Sequence, residues 1–130
     1  MPPLADRGSP VKTVLVVEDN AQVRRTIVRG LRSNGYAAME ACDSYEAMEI
    51  IESRPGAVSL VVTDLVLSGV NGLDLARSIE RREPGIRVVF MSAYGDDPWG
   101  LRKKVPNERF LPKPFSLNDL LDIVRSTLEV

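Results

Sequence analysis

Three short runs in this chain hold nothing but apolar, mostly β-branched residues: Val14-Leu15-Val16-Val17, Leu60-Val61-Val62 and Val88-Val89-Phe90-Met91. A strand with one wet face alternates polar with apolar. These runs do not alternate, so they read as strands buried on both faces. Such an environment needs a sheet covered by helices on both sides, and the intervening segments supply the helices. Val23, Ile27 and Leu31 recur at helical spacing; so do Ala47, Met48 and Ile51, then Leu75, Ala76 and Ile79. Leu117, Leu120, Leu121, Val124 and Leu128 share a face of a last helix, with Ser116 and Asp119 forming an approximate capping box at its start. Tyr36–Ala41 and Arg109–Leu111 are weaker strands. Five strand–helix alternations predict an α/β domain with a parallel sheet between two helical layers. One crossover resists. The segment 96–107 carries Pro98, Gly100 and Pro106, so its helix is expected to be short or irregular.

Length and composition then exclude function classes. At 130 residues the chain is one domain. Three prolines, a Gly and a Ser within residues 1–10 predict a disordered tail or linker, leaving a domain over 11–130. Seventeen basic against 18 acidic residues lack the basic field of an autonomous nucleic-acid binder, so no direct nucleic-acid contact is expected. No histidine is present, which removes Ser/His/Asp and Cys/His nucleophile systems and imidazole metal sites. Cys42 is the single cysteine, so no intrachain disulfide can form, which fits a reducing, cytoplasmic setting. No apolar run approaches the ~20 residues that span a bilayer, and no membrane contact is expected. A metal here must be held by oxygen: Mg²⁺, Mn²⁺ or Ca²⁺.

In open parallel sheets ligands bind beyond the carboxyl ends of the strands. Strand 1 ends in Glu18-Asp19, strand 3 in Asp64 and strand 4 in Ser92, and strand 5 runs into Lys113. Each has an ordinary explanation alone: an Asp19 or Asn20 helix cap, a loop-opening Asp64, a turn-satisfying Ser92, a surface Lys113. Their coincidence on one sheet edge does not. Two carboxylates ~4 Å apart repel by roughly 4 kcal/mol at an effective dielectric of 20. A divalent ion removes that repulsion, and carboxylates with waters suit Mg²⁺. A carboxylate flanked by such an ion, an ammonium and a hydroxyl is arranged to attack a phosphoryl group and to hold it afterwards.

Val16-Val17-Glu18-Asp19-Asn20, Asp64-Leu65-Val66-Leu67 with Gly72, Met91-Ser92-Ala93, and Phe110-Leu111-Pro112-Lys113-Pro114-Phe115 occur in that order. In these features the chain resembles a CheY-like receiver domain of two-component response regulators. The Pro84-Gly85 pair, the irregular crossover and the sequence after Phe110 are most similar to the C-terminal receivers of hybrid sensor histidine kinases. The resemblance implies a flavodoxin-like three-layer sandwich with five parallel strands in the order 2-1-3-4-5. It implies that Asp64 is the phosphoacceptor, that Asp19 ligates Mg²⁺ directly and Glu18 through water, and that the backbone carbonyl of Val66 completes the ligands. Ser92 would hydrogen-bond the phosphoryl oxygens, Lys113 would pair with them, and Phe110 would be the switch aromatic. The expected partners are a histidine kinase or histidine phosphotransfer protein, and a downstream protein at the face of helix 4, strand 5 and helix 5. A monomer is expected, catalysing only its own phosphorylation and dephosphorylation and otherwise not an enzyme.

Departures and rivals bear on this reading. Ser68 stands where the family usually has proline, and Phe110 lacks the hydroxyl of the tyrosine many members carry. Val66 and Tyr94, two residues after Asp64 and Ser92, would border the path of a hydrolytic water. Aspartyl-phosphate phosphatases need an acid two residues after the nucleophile, where this chain has Val66. Neither G-x-x-x-x-G-K-[S/T] nor G-x-G-x-x-G occurs. A degenerate, non-phosphorylated receiver acting as a protein-binding module is the alternative. Arg24, Arg25, Arg29 and Arg32 read as the solvated face of helix 1, with donor docking as the functional alternative. Trp99 reads either as a gap-filler or as a partner anchor.

Overall fold

The computed structural model describes residues 11–67, 70–93, 95–97 and 99–129; the tail expected over 1–10, and Ser68, Gly69, Tyr94, Pro98 and Val130, lie outside them. The strands are β1 (Thr13–Val17), β2 (Ala37–Ala41), β3 (Leu60–Asp64), β4 (Arg87–Ala93) and β5 (Phe110–Lys113). All pair in parallel, in the order β2-β1-β3-β4-β5, as the resemblance implies. The helices are α1 (Ala21–Ser33), α2 (Ser44–Ser53), α3 (Gly72–Arg82) and α4 (Leu117–Glu129). A short antiparallel ribbon, Val66–Leu67 with Val70–Asn71, follows β3.

Side chains alternate across the sheet because successive Cβ atoms of a strand point to opposite faces. Val14 and Val16 of β1 join Ile27, Leu31, Leu120 and Val124 under α1 and α4. Leu15 and Val17 join Ala47, Ile51, Leu75 and Ile79 under α2 and α3. All four β1 residues from Val14 to Val17 are fully buried, which is why the run cannot alternate. Helix starts follow local chemistry. The side chains of Asn20, Asp43 and Asn71 each accept a backbone N–H of the first turn of α1, α2 and α3. Ser116 and Asp119 cap α4 reciprocally, as the sequence predicts: the Asp119 N–H donates to Ser116 Oγ at 3.0 Å and the Ser116 N–H to Asp119 Oδ2 at 3.1 Å.

The crossover is irregular as expected, and two details of the expectations are corrected. The crossover between β4 and β5 contains two 3₁₀ turns, Arg102–Lys104 and Asn107–Arg109, and no α-helix among its described residues. The face expected from helix 4, strand 5 and helix 5 is therefore made by these turns, β5 and α4. Leu117, placed in the apolar stripe of the last helix, is 48% exposed. It sits at the first turn of α4 against α1, where a Cβ on Gly30 would come within 2.7 Å of its methyl.

Candidate functional site

The carboxyl edge of the sheet gathers the polar residues that the strands' apolar runs exclude. Asp64 ends β3, the central strand. Register sets Asp64 against Met91, Ser92 against Pro112 and Ala93 against Lys113, which places Ser92 and Lys113 at the same edge. β1 flanks β3 on the other side, and Glu18 extends it by one hydrogen bond, from its N–H to the carbonyl of Ala41 at 3.1 Å. The result is a cleft of about 430 Å³ lined by Glu18, Asp19, Asp64, Val66, Ser92 and Lys113 among others. The order reversal between β1 and β3 makes this the switch point of the sheet.

Three carboxylates converge there. One oxygen from each of Glu18, Asp19 and Asp64 lies within 4.8 Å of the others, with Glu18 and Asp64 buried and Asp19 exposed. Lys113 reaches across β4 to bridge the buried pair, its Nζ 2.6 Å from Glu18 Oε1 and 2.7 Å from Asp64 Oδ1. One ammonium does not offset this acid density. Burial pushes the Asp64 carboxyl up to about 8, its hydrogen bond with Glu18 adds to the shift, and Lys113 opposes it. Lys113 itself is held above the ordinary lysine value; burial works against its charge, but the hydrogen bonds to Asp64 and Glu18 outweigh that. The Lys113–Pro114 peptide is cis.

Ser92 is at the site but turned away from Asp64. Its hydroxyl donates to the carbonyl of Asp96 at 2.9 Å, with Ala93 O at 3.3 Å, both in its own loop. Phe110 is half-buried against a cluster of Leu65, Leu73, Phe90, Leu101 and Val105. The guanidinium carbon of Arg102 lies 3.8 Å from the centre of its ring. Arg102 also donates to Val105 O and Asn107 Oδ1, and Asp97 accepts the N–H groups of Leu101 and Arg102. Trp99 is 46% exposed, so it fills no core gap.

Two residues matter more than the sequence reading allowed. Arg24 does not lie on the solvated face of α1: its Nε pairs with Glu40 at 2.9 Å and its Nη1 donates to the Glu18 carbonyl at 2.8 Å. Arg25, Arg29 and Arg32 are exposed as expected. Gly72, read only as part of the pattern after Asp64, is sterically required. A Cβ there would overlap the Asp64 carbonyl oxygen and lie 2.8 Å from that of Leu65.

A doubly wound sheet with an acid triad and a lysine over its switch point is a flavodoxin-like arrangement. The profile of response regulator receiver domains matches residues 14–125, and the chain belongs to that family. It is 41% identical over 120 residues to the sensor kinase CckA of Brucella abortus, an alignment covering 90% of this chain and 12% of that protein. It is 28% identical to the response regulator receiver protein CpdR of the same organism, covering 91% of this chain and 98% of CpdR. Among solved structures, the receiver domain of the hybrid histidine kinase CckA superposes with a TM-score of 0.73 at 31% identity, covering 89% of this chain and 98% of that one. The chain thus spans about an eighth of one relative and nearly all of another. The likeness to hybrid-kinase receivers expected from the crossover sequence is found. No helix among the described residues is long and apolar enough to cross a membrane.

Proposed function

We propose that this domain is the phosphoacceptor of a two-component phosphorelay, taking a phosphoryl group from phosphohistidine onto Asp64 with Mg²⁺. The observation that carries the reading is the Lys113 ammonium held between two buried carboxylates, beside a third acid. The donor set is all oxygen, and three carboxylates close to one another suit a hard divalent cation. Glu18, Asp19, Asp64 and the carbonyl of Val66 would hold it, and the ion would offset the acids' mutual repulsion and the charge of the phosphoryl oxygens. Asp64 attacks phosphorus as the ionised carboxylate, its proton released to water as a bound cation would offset the neighbouring acids; the phosphorus–nitrogen bond of the donor breaks, and its electron pair stays on the imidazole nitrogen. Lys113 keeps its charge throughout and turns from Glu18 toward the phosphoryl oxygens. Ser92, rotated away from Asp96, donates its hydroxyl to them.

The chain has no histidine, so the phosphohistidine belongs to a histidine kinase, a phosphotransfer protein or another part of a longer protein. An apolar groove of about 520 Å³ opens beside Lys113, lined by Val23, Ile27, Ala93, Pro114 and Phe115. It offers the donor's helix a seat next to the acceptor. On this reading the domain works in the cytoplasm, modifies only itself and turns over no separate substrate. Incubation with acetyl phosphate and Mg²⁺, followed by intact-mass analysis, tests the assignment. One added phosphoryl group is expected, absent when Mg²⁺ is chelated and absent in Asp64→Asn; undiminished labelling of that variant would refute it.

A further inference from the structure

We propose that Arg24, held by Glu40, is a positioning residue for the acid loop and tunes the affinity of the site for its divalent cation. This rests on the metal site proposed above and deepens it. Asp19 lies in a turn between β1 and α1 and belongs to neither. A peptide joins it directly to Glu18, and the carbonyl of that peptide is the group Arg24 grips, at 2.8 Å. The other parts of Glu18 are also tied. Its N–H donates to Ala41 O, its Oε1 faces Lys113, and its Oε2 accepts the Asn20 N–H at 3.2 Å. Arg24 adds a restraint on the carbonyl of the peptide that leads to Asp19.

The guanidinium suits this task because it donates in two directions from one rigid plane. Its Nε is committed to Glu40 at 2.9 Å, near the end of β2, and its side chain is 13% exposed. The clip therefore spans β2, the end of β1 and the first turn of α1. Glu40 also neutralises a positive charge that would otherwise repel a cation at the neighbouring acids. A lysine at 24 keeps the charge but replaces the rigid fork of two nitrogens with a single ammonium on a flexible stem, so it holds the two acceptors in place less firmly. Partners that orient metal ligands from outside the ligand set are worth about 10–100-fold in metal affinity.

Arg32 supplies the control. It too donates to a backbone carbonyl, Ala38 O at 2.8 Å, but at the start of β2, away from the acids. The experiment is a Mg²⁺ titration by amide NMR of the intact chain and of Arg24→Lys, Arg24→Gln and Arg32→Lys, each with its thermal midpoint measured. Both Arg24 variants are expected to bind Mg²⁺ about tenfold more weakly, with the amides of Asn20 and Leu65 shifted before any ion is added, while Arg32→Lys binds like the parent. The phosphorylation rate by acetyl phosphate is expected to recover in Arg24→Lys at saturating Mg²⁺. Parent-like affinity in folded Arg24→Lys and Arg24→Gln would overturn the proposal while leaving the metal site standing. A parent that binds no Mg²⁺ would instead overturn the site reading on which this one rests.

Discussion

Replacing Asp64 with asparagine removes the one carboxyl whose hold on its proton is strongly raised, and this changes how stability depends on pH. The aspartate ionises near 3.8 in an ordinary setting and at about 8 in the fold. Between those values the folded chain keeps a proton that the unfolded chain has released. The stabilisation from that proton is complete below the lower value and drains away as pH climbs to the upper one. One pH unit corresponds to about 1.4 kcal/mol, so raising pH from 5 to 8 removes at most about 4 kcal/mol. Asp19 and the open side of the cleft admit water, which screens the charge and brings the expected change to about 2 kcal/mol. Lys113 does not contribute to this slope. Its value is raised above 10.5, so its stabilisation is complete below that pH and is lost only as pH rises past it. Urea unfolding of the metal-free protein and of Asp64→Asn at pH 5, 6, 7 and 8 reads the difference. The parent should lose about 2 kcal/mol relative to the variant across that range, and excess Mg²⁺ should flatten the parent's curve. Parallel curves would refute the inference that unneutralised acid density governs the empty site.

Other substitutions separate the remaining roles. Lys113→Ala should slow labelling by acetyl phosphate about 100-fold while leaving Mg²⁺ affinity equal or higher, because the ammonium contacts the same oxygens the ion would use; weakened Mg²⁺ binding in a titration would contradict this. Gly72→Ala should cost about 1–3 kcal/mol in urea unfolding and reduce labelling, since its Cβ overlaps the backbone that carries Asp64. Ser92→Ala should cost about 1 kcal/mol and speed amide hydrogen exchange over 95–97 and 99–110, because the hydroxyl that ties Asp96 is gone.

What the sequence made legible is what short-range pattern determines. Continuous β-branched runs mark β1, β3 and β4, and the capping box at Ser116 and Asp119 is bonded as its spacing predicts. The strand-end rule brought Glu18, Asp64, Ser92 and Lys113 to one edge because parallel strands share a direction. Arg24 was hidden for the complementary reason. Its i, i+1, i+5 and i+8 relation to Arg25, Arg29 and Arg32 describes a polar helix face, and only the pairing of β1 with β2 brings Glu40 to meet it. A lone Glu near the end of an edge strand, with an arginine in the first turn of the preceding helix, was the available signal. Leu117 was misplaced because periodicity counts a residue at a helix's first turn like any other, although its methyl lies over Gly30 of α1 and stays half exposed. The Ser92 rotamer had no sequence signal at all, since the acceptor it chooses is a backbone carbonyl.

The irregular crossover follows from the same residues. Pro106 and Gly100 forbid a continuous helix, and Gly100 adopts a φ of +62° that a helix does not use. Leu101 and Val105 still reach the core with Phe90 and Leu65, so two apolar anchors hold a segment that a helix would otherwise hold with a full stripe. Asp97 closes the first 3₁₀ turn from one end, and Arg102 covers Phe110 from the other. Segments with few buried contacts open at low cost. The tie between this segment and the acid cleft is the Ser92 hydroxyl on Asp96, a bond worth about 0.5–1.5 kcal/mol net. On the proposed reading, a phosphoryl group at Asp64 would need only that margin, a factor of roughly 2–10 in population, to take the hydroxyl and release Asp96. Asp97 is the next residue, so on the proposed reading the turn it closes, and Arg102 with it, would move with Asp96. In a crossover built as a regular helix the same bond would be a small part of a large packing energy; here it is a comparable share, and on the proposed reading Phe110, held by Arg102 instead of by a hydroxyl of its own, is where the change would emerge.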